Sequence, residues 1–161
     1  MFKLFHSKGV VNNSFVSDIP AGTSLDTNAE NLNGLAVTIT AGVLEHCVAN
    51  GAPVAGILAN QPGDHSYGDD EQGNPIGGVA KLVGENPLFM PVTRDMLIEA
   101  DTAAAAACVI GNLYDISANG DLINLAASTN DDFKVLRILE GTASAATKVM
   151  GVFVDPSGYF A

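Results

Sequence analysis

Short apolar segments separated by turn residues run through most of this chain. Residues 35–40 alternate along the backbone and are rich in β-branched side chains, as a half-buried strand requires. By the same criteria, strands are predicted at 35–40, 43–48, 53–59, 79–83, 88–92, 113–116, 121–125, 133–139 and 148–154. Strands at a spacing of roughly 8–12 residues indicate an all-β protein, either a small β-barrel or a sandwich, built from hairpins.

Two segments of the chain, 42–51 and 111–120, match each other. Both read Gly-x-Leu, then four variable residues, then Ala-Asn-Gly. Each predicts a strand that ends in a type I′ turn, with Asn50 and Gly51, or Asn119 and Gly120, as the central residues at positive φ. An internal duplication explains the match, and so does the repeated use of Asn-Gly wherever a hairpin needs such a turn.

The amino-terminal region differs from the rest of the chain. Residues 1–34 are rich in turn signals and have little apolar periodicity, which predicts an extended N-terminal arm. The β-barrel or sandwich domain then occupies residues 35–161.

One short helix is predicted within residues 93–108. Thr93 suits a helix N-cap, and the alanines at 103–107 are strong helix formers. Met96, Leu97 and Ile98 are consecutive and do not follow helical spacing, so only one or two helical turns are expected.

The charge of the chain restricts its partners. Seven Lys and Arg face eighteen Asp and Glu, which gives a formal net charge of −11. Residues 1–17 contain Lys3 and Lys8 and no acid, so the remainder carries five cations against the eighteen carboxylates. An acidic body is repelled by phosphate backbones and by anionic lipid, so neither nucleic acid nor membrane is expected as a partner. Charged residues make up only 16% of the chain, which favours a surface partly covered by other copies or partners.

The cysteines and their neighbours are the first candidates for chemistry. Cys47 and Cys108 lie far apart and form no C-x-x-C pattern, so two buried free thiols are expected rather than a zinc or redox site. His46 next to Cys47 invites a base and nucleophile interpretation. Adjacent strand residues point to opposite faces, however, so core packing is the favoured interpretation. With no secretory signal in view, synthesis in a reducing cytoplasm is expected.

An acidic segment is the second candidate. The polar loop 61–78 carries carboxylates and a histidine that could bind Ca²⁺, namely Asp64, His65, Asp69, Asp70 and Glu71. The D-x-D-x-D-G pattern is missing, so a solvated loop is favoured. Asp131 and Asp132 are interpreted as a turn, and Asp95, Glu99 and Asp101 as groups that cap or solubilise the predicted helix. The sequence therefore predicts no catalytic residue, no metal site and no cofactor.

The order of these elements resembles that of a known family. The relevant pieces are residues 41–44, 53–58, 111–114 and 149–154, and the likeness covers roughly 35–155. They resemble the small β-barrel head decoration (cement) proteins of tailed bacteriophages. The resemblance implies copies on the outside of an icosahedral head, often as trimers, which contact the major capsid protein and stiffen the shell of the virion. The loop 61–78 looks like an insertion relative to that pattern.

Three hypotheses follow for function. A decoration protein needs a stable β-scaffold and an arm or strand edge that adds to a neighbour, and residues 1–34 are the predicted clamp. An exposed receptor-binding or fibre-associated virion protein is the alternative within the virion. A small β-barrel enzyme is disfavoured, because no nucleophile, base and orienting group converge in the sequence.

Overall fold

The computed structural model describes residues 2–7, 18–26, 34–47, 53–59, 86–94, 96–103, 106–117, 120–126 and 132–156. In this part of the chain the elements are β1 (Phe2–Ser7), α1 (Thr23–Asp26), β2 (Ala36–Thr40), β3 (Val43–His46), β4 (Gly56–Ala59), β5 (Leu88–Pro91), β6 (Met96–Asp101), β7 (Leu113–Ile116), β8 (Ile123–Asn124), β9 (Phe133–Thr142) and β10 (Ala145–Phe153). The predicted all-β class is therefore confirmed. No helix in these ranges is long and apolar enough to cross a membrane, since α1 has four residues.

Six strands form a sheet that curls almost into a barrel. Their order is β1-β6-β10-β9-β7-β8, and all neighbouring pairs are antiparallel. A parallel bridge between Thr102 and Ile123 brings the end of β6 to β8. Beside it, the Ala103 amide donates to the Ile123 carbonyl at 2.8 Å. These contacts join two strands that lie far apart in the sheet order, which is how a curled sheet begins to close.

The second sheet, in the order β3-β2-β4-β5, is buried on both faces. Along its strands, residues of one face enter the main core and the alternate residues enter a smaller one, as the two-residue period of a strand requires. Ala36, Ile57 and Met90 belong to the main core, which the barrel completes. The smaller core contains Ala21, Leu25, Leu35, Val37, Leu44, Leu58 and Phe89. Part of it comes from residues 18–26, so these residues cover the outer face of the sheet.

Three phenylalanines form the centre of the main core. The ring of Phe2 lies 5.3 Å from that of Phe153 and 6.1 Å from that of Phe133, and the last two are 5.1 Å apart, edge to face. All three side chains are at most 2% exposed. The Phe2 amide also donates to the Gly34 carbonyl at 2.8 Å, and the Gly34 amide donates to Leu58 of the second sheet at 2.7 Å. Phe2 therefore links the barrel to the second sheet.

The prediction of a helix within residues 93–108 is wrong. Met96–Asp101 is instead strand β6, which pairs with β1 on one side and β10 on the other. Met96, Ile98 and Ala100 are fully buried, whereas Leu97, Glu99 and Asp101 are partly exposed. The period is two, and partners on both sides outweigh the helix propensity of the alanines that follow. The only described helix, α1, lies at Thr23–Asp26.

The predicted arm, residues 1–34, contains two described pieces, and both pack on the chain's own strands. Strand β1 pairs with β6. Pro20 and Gly22 exchange hydrogen bonds with Leu44 of β3, where Ala21 forms a parallel bridge. Residues 8–17 and 27–33 lie outside the described residues, so the boundary at 34 stays a prediction.

The predicted strands are found where the structure describes them. Strands β1 and β6 were not predicted. The strand predicted at 79–83 lies outside the described residues, and so does the turn predicted at Asn50 and Gly51. Strands β7 and β8 form the predicted hairpin. Its turn differs in register, because the Gly120 amide donates to the Ser117 carbonyl. Gly120, at φ 70°, is thus the last residue of the turn rather than one of its two central residues.

A two-residue turn of the type I′ kind joins β2 to β3. Thr40 pairs with Val43, and the residues between them, Ala41 and Gly42, have φ angles of 51° and 82°. Alanine in the left-handed region is strained, whereas asparagine enters it readily. The repeated glycines Gly42 and Gly111 both have positive φ and both precede a strand.

Replacing Ala41 by asparagine is expected to stabilise the protein by about 0.5–1 kcal/mol, because the residue then suits its backbone conformation. Urea unfolding of the Ala41→Asn variant measures the change. Ala143→Asn is the matched control, since Ala143 lies in the turn between β9 and β10 without a positive φ. Equal effects of the two substitutions would contradict the role of the Ala41 backbone.

Replacing Phe2 by alanine is expected to destabilise the protein by about 3–5 kcal/mol, because a cavity opens beside the rings of Phe133 and Phe153. Phe2→Leu, which keeps most of the apolar volume, should cost clearly less. Urea unfolding of both variants gives the comparison. A loss below about 1 kcal/mol for Phe2→Ala would show that β1 is not part of the cooperative core.

Candidate functional site

Strand β3 carries the His46 and Cys47 pair and is held along its edge by residues 18–26. Gly22 donates to the Leu44 carbonyl at 2.7 Å, and Leu44 donates to Pro20 at 2.8 Å. The Ser24 hydroxyl donates to Glu45 Oε2 and accepts the His46 amide at 2.8 Å. The Ser24 amide also donates to Glu45 Oε2, at 2.9 Å. These bonds fix the backbone of β3 at the candidate pair.

His46 and Cys47 belong to different faces of the second sheet. His46 is paired across the strands with Val37, a residue of the smaller core, whereas Cys47 belongs to the main core. His46 is 7% exposed and Cys47 is fully buried. Opposite faces separate the imidazole from the thiol, as the strand geometry predicted, so His46 is not positioned to deprotonate Cys47.

The environment of Cys47 keeps the thiol protonated. Burial raises its pKa to about 12, and the negative charge of Asp132 acts in the same direction. The thiolate is the reactive form of cysteine, so this group is chemically inert at neutral pH. Its backbone has a structural role, because the Cys47 amide donates to Ala36 at 2.9 Å, and Ala36 in turn donates to Gly120 at 2.8 Å. The β7–β8 turn is anchored to the second sheet at this point.

Cys108 is the other free cysteine and is also buried. Burial raises its pKa, and a hydrogen bond with Tyr114 acts in the opposite direction. The Tyr114 hydroxyl accepts the Val109 amide at 2.7 Å. Cys108 and Tyr114 thus hold the segment 106–112 against the barrel.

The predicted acidic candidates do not come together in the described part of the chain. Asp64, His65, Asp69, Asp70, Glu71, Asp95 and Asp131 lie outside it. Glu99 and Asp101 are on strand β6, and Lys148 of β10 forms ion pairs with Glu99 at 3.6 Å and with Glu140 at 3.2 Å. The hydrogen bond with Glu140 raises the pKa of Lys148. Within the described residues, no three His, Cys, Asp or Glu side chains are grouped so that they could hold a metal ion.

A surface on strand β9 is the feature that sequence reasoning missed. Between the pairs Met150–Arg137 and Gly151–Val135 the register shifts, so Leu136 is an extra residue, a β-bulge. Leu136 is 38% exposed, and Lys134 and Arg137 beside it are exposed as well. We name this surface, together with the neighbouring Val109 and Ile110, the bulge patch. Alternation alone places Leu136 with Lys134 on the outward face and turns Arg137 inward. The bulge is what exposes Arg137, and no sequence signal marks it.

Backbone hydrogen bonds bring the two halves of the bulge patch together. The Gly111 amide donates to the Val135 carbonyl at 2.8 Å, and the Val135 amide donates to Asn112 at 3.1 Å. Ile110 precedes the first of these bonds, and Leu136 follows Val135. Val109 is 52% exposed and Ile110 59% exposed. The large apolar side chains that are exposed in the described residues therefore all come from these two adjoining backbone segments.

The burial of His46 predicts a dependence of stability on pH. Desolvation lowers its pKa from 6.5, against the opposing charges of Glu45 and Asp121. Below pH 6.5 the unfolded chain binds a proton that the folded His46 does not, so stability falls as the pH decreases below about 6.5. His46→Gln is expected to reduce this loss, measured by urea unfolding at several pH values. His65→Gln is the matched control, and an unchanged slope in His46→Gln would contradict the assignment.

Comparison with known proteins assigns no role to these residues. No protein-family model matches the chain, and no curated protein matches its sequence.

Proposed function

We propose that this chain is a structural virion protein of a tailed bacteriophage, which binds the outside of the capsid and stabilises the shell. Its partners in this proposal are the major capsid protein and other copies of the chain. The proposal combines the order of elements, which resembles that of decoration proteins, with the all-β fold found for the described residues. It places the protein on the exterior of the virion, after synthesis in the host cytoplasm.

The observation that carries the proposal is where apolar and reactive groups lie. Cys47 and His46 are buried in the fold, and the Cys47 thiol is protonated. The exposed large apolar side chains, by contrast, gather in the bulge patch. An apolar surface rimmed by charges is typical of proteins that bind other proteins. Binding rather than catalysis therefore fits the described part of the molecule best.

The sheet order supports the same function. Among the described strands, β1 ends the barrel sheet and β5 ends the second sheet. Terminal strands are the places at which another chain can add by main-chain hydrogen bonds. Strand β5 ends at Pro91. Its Met90 is only 7% exposed, so this terminal strand packs directly on the main core.

The predicted clamp by residues 1–34 needs a test that leaves the fold intact. Removing the whole segment would also remove β1 and Phe2 from the core. Scrambling the order of residues 8–17 preserves composition, length and charge and leaves β1 in place. We expect this variant to bind heads more weakly than the native chain at equal thermal stability. Unchanged binding would contradict a clamp in this segment.

Co-sedimentation with bare heads of the encoding virus tests the proposed function. We expect saturable binding of the purified chain and a higher temperature of head disruption after binding, because a ligand of the assembled shell stabilises it. Heads already carrying their full decoration are the control and should bind none. A folded chain that ignores bare heads would contradict the proposal, and binding to host cells instead would favour the receptor-binding alternative.

A further inference from the structure

We propose that the bulge patch is the surface through which copies of this chain bind one another, head to tail. The occupant of the patch is an acidic surface of a second copy. This inference goes beyond capsid binding, because it names a surface for self-association that operates in solution without a capsid.

The first step is the composition of the patch. Leu136, Val109 and Ile110 are 38%, 52% and 59% exposed and belong to adjoining backbone segments. Lys134 and Arg137 flank Leu136 on the same strand and are exposed. Among the described residues, neither of these two cations is within ion-pair distance of a carboxylate, whereas Lys148 is paired with Glu99 and Glu140. The patch thus offers apolar contacts and two available positive charges.

The second step is charge complementarity. The chain carries eighteen carboxylates and only seven Lys and Arg, and two of those seven are in the patch. The rest of the surface of any copy is therefore rich in carboxylates, and exposed examples are Asp18, Glu140 and Asp155. A positive, apolar surface on an otherwise acidic molecule is complementary in charge to the acidic surface of another copy.

The third step is the geometry of the pairing. In a two-fold dimer the same patch meets itself, so Lys134 and Arg137 of one copy would face the positively charged patch of the other. Like charges brought together in this way oppose association. Contact between the patch and a different, acidic surface avoids this repulsion. Such a contact is heterologous, and it generates closed rings or open chains rather than two-fold dimers.

Sedimentation equilibrium of the native chain and two variants tests the proposal. Leu136→Glu puts a carboxylate into the patch, and we expect self-association at least about tenfold weaker. Thr147→Glu is the matched control, because Thr147 is also exposed, also lies at a bulge and receives the same charge. The control should keep the native mass distribution. Thermal unfolding of both variants checks that each is folded.

Two results would overturn the proposal. One is a native chain that stays at the monomer mass of 16.5 kDa at every concentration tested. The other is equally strong self-association of the Leu136→Glu variant and the native chain.

A mixing experiment tests the head-to-tail arrangement directly. A Leu136→Glu copy keeps its acidic surface, so it should still accept the patch of a native copy and cap the growing assembly. Native chain mixed with an excess of this variant is therefore expected to form mixed dimers. Exclusion of the variant from every assembly would indicate a two-fold interface and overturn the arrangement. Neither result depends on heads, so failure of capsid binding leaves this test unaffected.

Discussion

The contact on which the rest of the structure depends is the packing of Phe2 against Phe133 and Phe153. These rings come from opposite ends of the chain, and β1, which carries Phe2, pairs with β6 from Met96 to Ala100. The same residue donates to Gly34, which bonds Leu58 of the second sheet. Burial of a phenylalanine side chain contributes about 1.5–3 kcal/mol, and edge-to-face contacts add to it. The amino terminus thus holds barrel and second sheet together.

This dependence constrains how the protein can use its amino-terminal region. A segment that reaches a neighbouring molecule must leave Phe2 in the core and residues 20–24 on the edge of β3. Ser24 links Glu45 to the His46 amide, so lifting that segment would expose a buried histidine and the apolar face beneath Leu25. A region with an irregular sequence pattern can therefore still pack on the protein's own strands, as the described parts of residues 1–34 do.

The outcome of the sequence-based predictions follows the regularity of each strand. Residues 37–40 alternate apolar and polar side chains, and residues 43–46 alternate in burial; both strands were predicted within two residues of their ends. Strand β1 escaped prediction because its register shifts between Leu4 and His6, which breaks the alternation. Strand β6 alternates between buried and partly exposed residues. The apolar Leu97 between Met96 and Ile98, and the alanines that follow the strand, obscured this alternation in the sequence. Tertiary pairing on both sides decided its conformation, and a single sequence does not show such pairing.

The candidate site divides in the same way. The placement of His46 and Cys47 on opposite faces follows from strand geometry alone, so sequence sufficed. The raised pKa of Cys47 could not be predicted from the sequence, because it depends on the packing around the thiol and on the position of Asp132. The bulge patch was not predicted, because the outward position of Arg137 next to Leu136 depends on an extra residue in the pairing of β9 with β10 and not on any residue type.

The exposed Leu136 at this bulge has opposite effects on the isolated molecule and on an assembly. Without the bulge, the alternation of β9 would place Leu136 outward with Lys134 and turn Arg137 inward, whereas the shift leaves Leu136 and Arg137 exposed side by side. Exposed apolar surface forgoes stabilisation of roughly 25 cal/mol per Å² in the single chain, and that free energy becomes available when a partner covers it. Bulges commonly re-aim side chains in this way. The irregularity that defeats sequence prediction is therefore also the feature that distinguishes this face of the barrel from the rest of an acidic surface.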